Sequence, residues 1–102
     1  MNFNKKTILI TGGTGSFGTA FLNYLIENKI SFREVRIFSR DEKKQDDLRK
    51  KISNKNVKFY LGDVRDEKSL NYAVENVDYI FHAAAYKQVP SCEFYPIEAV
   101  KT

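Results

Sequence analysis

One glycine string near the start of the chain constrains the fold more than any other feature. Gly12-Gly13-Thr14-Gly15-Ser16-Phe17-Gly18 follows directly on the β-type apolar run Thr7–Thr11. Glycines 13, 15 and 18 fit G-x-G-x-x-G, while 12, 15 and 18 fit G-x-x-G-x-x-G. Beyond the string, Phe17, Phe21, Leu22, Leu25 and Ile26 recur at helical spacing. The pattern is strand, glycine turn, helix. The first glycine permits the tight turn, the middle one lets backbone approach an anion without a Cβ in the way, and the last lets the helix pack close to the sheet. The helix start then presents unpaired N–H groups and positive dipole to a pyrophosphate. Gly12, Gly15, Ser16, Phe17 and Gly18 are therefore candidate dinucleotide-binding residues; a plain structural turn is the simpler alternative. No Gly-Lys-Ser/Thr follows, which argues against a P-loop.

The rest of the chain repeats the alternation. Strands are expected at Thr7–Thr11, Glu34–Phe38, Val57–Leu61 and Asp78–His82, and helices at Ser16–Asn28, Asp41–Ile52 and Glu67–Glu75. A fourth helix is expected to start near Tyr95 or Pro96. Such alternation predicts an α/β fold of the NAD(P)-binding Rossmann type: a partial doubly wound parallel sheet built from the first four βα units. Leu70, Ala73, Val74 and Val77 line up as the inner face of the third helix. The second helix has only Leu48 and Ile52 as apolar anchors and should lie mostly exposed. Strand four is expected in mid-sheet beside strand one, with an unpaired outer edge and poor stability as a consequence.

Composition narrows the function classes. In 102 residues the hydrophobic fraction is 42%, ordinary for a globular chain, and no run approaches the roughly 20 apolar residues of a membrane span. Met1–Lys6 lacks a signal-peptide core. A single cysteine, Cys92, cannot form an internal disulfide and reads as an inert thiol, so a cytoplasmic location is expected. The net charge of +4 comes from lysines and arginines interleaved with acids, with Asp46 and Asp47 placed to pair with Lys50 and Lys51, so no nucleic-acid partner is expected.

About twenty residues past the glycines lies the position that discriminates between dinucleotides. An acidic residue at the end of the second strand would bond the ribose 2′-hydroxyl of NAD, whereas a 2′-phosphate calls for arginine. Here that strand ends in Ser39 and Arg40, followed by Lys43 and Lys44. NADP is favoured. Asp41 and Glu42 keep NAD open, and Asp41 or Ser39 also suits the N-cap of the next helix. Two further segments reach the same sheet edge. Asp63 and Val64 are placed to meet an adenine, or Asp63 to cap the following turn. His82-Ala83-Ala84-Ala85 ends strand four, where the small alanines let backbone approach ribose and nicotinamide; ordinary close packing between strand and helix is the competing reading. His82 itself reads as a packed or hydrogen-bonded structural group, and Lys87 either as a cation within reach of a phosphate or sugar oxygen or as an exposed loop lysine.

The string at 11–18 resembles the opening of extended short-chain dehydrogenases. Arg36-Ile37-Phe38-Ser39-Arg40-Asp41-Glu42-Lys43-Lys44-Gln45, Phe59-Tyr60-Leu61-Gly62-Asp63-Val64-Arg65-Asp66 and His82-Ala83-Ala84-Ala85-Tyr86-Lys87-Gln88-Val89-Pro90 are similar to the bacterial polysaccharide-biosynthesis branch, which includes UDP-N-acetylglucosamine 4,6-dehydratases, some also 5-epimerases. The resemblance implies NADP held by Gly15–Gly18, Ser39–Lys44, Asp63-Val64 and Ala83, with Lys87 reaching both cofactor and a UDP-sugar. It also implies a homo-oligomer. Tyr86 departs from the aliphatic residue usual there.

In such enzymes a sugar is oxidised at C4, which acidifies the C5 proton and allows loss of the C6 hydroxyl; in 4-epimerases the hydride returns to C4. The catalytic Tyr-x-x-x-Lys pair is absent, because none of Tyr24, Tyr60, Tyr72, Tyr79, Tyr86 and Tyr95 has a lysine four residues later. By this resemblance residues 1–102 are the N-terminal part of the dinucleotide domain, without the rest of that domain or a C-terminal substrate domain. The expected function is the NADP-binding portion of a UDP-N-acetylglucosamine 4,6-dehydratase of capsule or surface polysaccharide biosynthesis, with a UDP-glucose/UDP-N-acetylglucosamine 4-epimerase or a non-catalytic NADP-binding module as alternatives. The 102-residue chain alone is expected to be inactive.

Overall fold

The computed structural model describes residues 2–12, 14–85 and 90–96. Eight elements follow in order: β1 (Thr7–Thr11), α1 (Ser16–Glu27), β2 (Glu34–Ser39), α2 (Glu42–Lys51), β3 (Val57–Leu61), α3 (Glu67–Val74), β4 (Tyr79–Ala85) and β5 (Pro90–Pro96). They form one sheet in the order β3-β2-β1-β4-β5. The first four strands are parallel, with Thr11 opposite both Phe38 and His82 and with Ser39 opposite Leu61.

Alternation along the strands sorts the core into two layers. Ile8 and Ile10 of β1 and Val35 and Ile37 of β2 pack with Leu22 and Leu25 of α1 and Leu48 of α2. Leu9 and Phe38 belong to a second cluster with Ala73, Val77 and the partly buried Leu70 and Val74. Side chains that point to opposite faces of a pleated strand require a helix layer on each side. The expected inner face of α3 is thus the observed one. On α2 the buried residues are Leu48 and, unexpectedly, Gln45.

The fourth expected helix is not found at Tyr95 or Pro96. Both lie in β5, which pairs antiparallel with β4 from Ala85↔Pro90 to Tyr79↔Pro96. Two constraints explain the difference. The outer edge of β4 carries backbone groups that need partners. Only residues 86–89 join the two strands, which suffices for a hairpin but not for the crossover of a dozen or more residues that a parallel neighbour requires. Prolines at both ends suit an edge strand. The expectation of an unpaired β4 edge is corrected with it. Ile97, Ala99 and Val100, expected on that helix, lie outside the described residues.

Arg36 ties β2 to the end of α3. Its Nη1 donates to the carbonyls of Ala73 (2.8 Å) and Glu75 (2.7 Å), its Nε to Glu34 Oε2 (2.6 Å), and its guanidinium lies 5.3 Å from the Tyr60 ring centroid. A cation at a helix C-terminus satisfies carbonyls that the helix leaves without donors. Arg36→Met keeps the apolar stem but strips those carbonyls of their donor. It is expected to lower the unfolding free energy by about 2 kcal/mol, measured by chemical denaturation.

Candidate dinucleotide-binding site

The strand order reverses at β1, whose neighbours β2 and β4 continue in opposite directions, and a crevice opens beyond the carboxyl ends of strands at such a point. The structure has a cleft of about 700 Å³ there, lined by the turn after β1, the end of β2 with the start of α2, and the turn after β3.

The glycine turn forms its first wall. Gly12 has φ 66°, in the left-handed region that disfavours side chains, and its N–H bonds to the Phe38 carbonyl at 2.8 Å. The Gly15 N–H returns to the Gly12 carbonyl at 3.0 Å, and a Cβ on Gly15 would stand 3.3 Å from that oxygen. Gly15 is the N-cap of α1 and gives the first turn no side-chain cap. The helix therefore opens onto the cleft with N–H donors that no capping side chain takes. A dinucleotide pyrophosphate fits such a cradle, which is narrow where a Cβ would crowd it.

The second wall is cationic. Arg40 and Lys44 line it, and Asp41 sits between them as the N-cap of α2, its Oδ1 accepting the Lys44 N–H at 3.0 Å. Beyond β3, Asp63 Oδ1 accepts the backbone N–H of Arg65 at 2.9 Å, closing a local turn, while Arg65 Nη2 (2.9 Å) and Arg40 Nη1 (3.4 Å) approach Oδ2. The Arg65 side chain and backbone bonds hold the Asp63 carboxyl well below the usual carboxylate range, against the opposing effect of burial, with the Arg65 and Arg40 charges adding to the shift. Asp63 thus closes the turn, and Asp66, whose Oδ1 accepts the Lys68 N–H, caps α3.

The candidates separate by position. Gly12, Gly15, Ser16, Phe17, Ser39, Arg40, Asp41, Lys44, Asp63 and Val64 line the cleft; Gly18, Glu42 and Lys43 do not. Gly18 is buried within α1, where a small residue suits close packing on the sheet. Glu42 and Lys43 lie on the first turn of α2, where successive side chains diverge by about 100°, so that the face shared by Asp41 and Lys44 excludes them. Ala83 is placed by its backbone in β4, one position past the His82–Thr11 pair. Lys87 lies outside the described residues, as does Tyr86. His82 is hydrogen-bonded through Nδ1 to the Thr11 hydroxyl, the structural role expected of it.

Sequence reasoning did not assign Thr14, Phe38, Gly62 and Arg65, which also line the cleft. Gly62 has a steric cause: a Cβ there would meet the Phe38 ring at 2.8 Å and Ser69 Cβ at 2.9 Å. Arg65 carried a readable signal, two residues beyond an aspartate in the spacing of an Asx-type turn. Among the described residues, no group of side chains could hold a metal ion and no helix is long and apolar enough to cross a membrane.

A family model for polysaccharide biosynthesis proteins matches residues 8–102. The chain belongs to the polysaccharide biosynthesis protein family. The expected branch of extended short-chain dehydrogenases is thereby supported, and with it the expected Rossmann-like α/β fold. The chain is 61% identical over 102 residues to a UDP-glucose 4-epimerase of Rickettsia canadensis (strain McKiel) and 59% identical to one of Rickettsia bellii (strain OSU 85-389). It spans 30% of the length of each of these curated relatives. The X-ray structure of Pen from Bacillus thuringiensis superposes with TM-score 0.76 at 39% identity, over 87% of this chain and 27% of that one. The dTDP-glucose 4,6-dehydratase of Bacillus anthracis str. Ames, solved in complex with NAD, shares the fold with TM-score 0.63 at 20% identity, over 79% of this chain and 27% of its own.

The Asp63–Arg65 pair has a signature in acid. A carboxyl whose folded pKa lies below its unfolded one stabilises the fold fully above the ordinary carboxylate range, and that contribution is lost as pH falls toward the lowered value. Because Arg65 is largely exposed, the contribution to stability is small. An NMR titration of Asp63 is expected to show a midpoint well below that of free aspartate, and Arg65→Ala is expected to move it back up.

Proposed function

We propose that this chain is the NADP-binding portion of a nucleotide-sugar enzyme whose chemistry begins at C4 of the sugar. One observation carries the cofactor reading: an uncapped helix start and a cationic strand end face the same cleft. Gly12 and Gly15 with the first turn of α1 would hold the pyrophosphate, Ser39, Arg40 and Lys44 the 2′-phosphate, and Val64, half-exposed at the rim, would pack on the adenine. The two acids that kept NAD open weigh less here, because Asp41 already caps α2 and Glu42 does not line the cleft. The bound nicotinamide would supply the hydride acceptor. The chain's own residues bind and orient it, and the base on the sugar hydroxyl must come from a Tyr-x-x-x-Lys pair that residues 1–102 do not contain.

The class of substrate, a UDP-sugar, is supported by the family and by relatives named UDP-glucose 4-epimerase. We read the activity as C4 oxidation followed either by return of hydride to C4, as in 4-epimerisation, or by 4,6-dehydration, which the strings at 36–45, 59–66 and 82–90 favour. Both outcomes share the cofactor site described above. A cytoplasmic location and a homo-oligomer belong to this reading.

Two measurements test it. Arg40→Ala is expected to weaken NADP binding by about 10- to 100-fold, the worth of one charge-assisted phosphate contact, and to leave NAD binding nearly unchanged in calorimetry. The 102-residue chain is expected to bind NADP without turning over UDP-N-acetylglucosamine or UDP-glucose. NMR detection of a C4 epimer or a 4-keto-6-deoxy sugar from that chain would contradict the assignment of catalysis to residues outside it.

A further inference from the structure

Gln45 is the most buried polar residue of α2, with 3% of its surface exposed, and its side chain is bonded to both β2 and β3. Its Nε2 stands 2.8 Å from the Tyr60 carbonyl, 3.2 Å from the Ser39 carbonyl and 3.1 Å from Ser39 Oγ. Two of these partners are backbone carbonyls, which only accept. The amide must therefore present its NH₂ group to them, since the flipped orientation would set oxygen against oxygen. One N–H serves Tyr60, and the other is shared between the carbonyl and hydroxyl of Ser39.

This arrangement decides what Ser39 can do. Its carbonyl also receives the Gly62 N–H at 2.8 Å, so both lone pairs are engaged. Its hydroxyl accepts from Gln45, and no acceptor for its own proton occurs among the described residues. Ser39 lines the cleft beside Arg40 and Lys44.

We propose that Gln45 is a positioning residue for cofactor selection: by donating to the Ser39 hydroxyl it leaves that hydroxyl's own proton to serve as a donor, at the cleft wall, matched to a phosphate monoester. A phosphate oxygen accepts such a donor with charge assistance, whereas a ribose hydroxyl is better met by a carboxylate acceptor, which this position lacks. The inference deepens the NADP reading and rests on it. Gln45 acts through Ser39 and touches no ligand.

The test compares dissociation constants for NADP and NAD, by calorimetry on the full chain, in wild type, Gln45→Met, Ser39→Ala and the double variant. Each single change is expected to weaken NADP binding by about 5- to 10-fold and to leave NAD within about 2-fold, and the double variant is expected to be no worse than Ser39→Ala alone. Equal losses for both dinucleotides, or losses that multiply in the double variant, would overturn the proposal, because a merely structural glutamine moves both affinities together. Gln45→Met removes a buried donor from the carbonyls of Ser39 and Tyr60, so circular dichroism accompanies each measurement. Gln45→Asn, whose amide falls a methylene short of Ser39, is the second variant and carries the same expected split. A wild-type chain that binds NAD as tightly as NADP would overturn the NADP reading and this proposal together. A preference for NADP that the Gln45 variants leave intact would overturn this proposal alone.

Discussion

Every residue of β1 is buried, and both of its edges are hydrogen-bonded to parallel neighbours. The remaining architecture follows from the burial of that strand. Its apolar side chains alternate between two faces, so each face needs its own helix layer. Its N–H and C=O groups need a strand on each side, and a chain that builds outward through β2 and β3 must return across the sheet to place β4 on the other edge. The return is what opens the crevice. Asp78 anchors it: its N–H bonds the Thr7 carbonyl and its carboxylate accepts the Thr7 N–H. At the opposite end of the same two strands, the Thr11 hydroxyl meets His82.

The carboxyl ends of β2 and β3 are joined as tightly by polar contacts as their interiors are by apolar ones. The Ser39 carbonyl takes the Gly62 N–H, Gln45 bonds Ser39 and the Tyr60 carbonyl, and Phe38 fills the space that the missing Gly62 side chain leaves. Buried polar groups are tolerated here because each finds a partner, and no buried side-chain nitrogen or oxygen lacks one among the described residues. The charged groups above this floor are arranged differently. Arg40, Arg65 and Asp63 are in contact but close to solvent, so they give the cleft its sign of charge rather than much stability.

The parts of this fold that rest on local pattern were readable in the chain. The run 7–11, the glycines and the periodicity of α1 and α3 each declare an element within a dozen residues, and the observed boundaries differ from the expected ones by three residues at most. The loop chemistry was readable for the same reason, since Gly12 and Gly15 are needed by backbone geometry close at hand. What escaped depends on partners far along the chain. Gln45 looks like a surface residue of a charged helix until Tyr60 and Ser39 supply acceptors. Arg36 looks like an interruption of a strand until the carbonyls of Ala73 and Glu75 arrive. In the segment 90–96 the local pattern points only to a helix start at Pro96, and the strand there is declared by the β4 edge that it pairs with.

The two walls of the cleft come from different stretches of chain and touch through few bonds, among them that from the Gly12 N–H to the Phe38 carbonyl. Ser39, Arg40, Asp41, Lys44 and Gln45 by contrast all fall within the short stretch 39–45, spanning the end of one strand and the first turns of one helix. Such a block behaves as a cassette. A descendant could exchange it in one short recombination or a handful of substitutions, altering what is recognised at one end of a ligand while the glycine turn at the other end passes down unchanged.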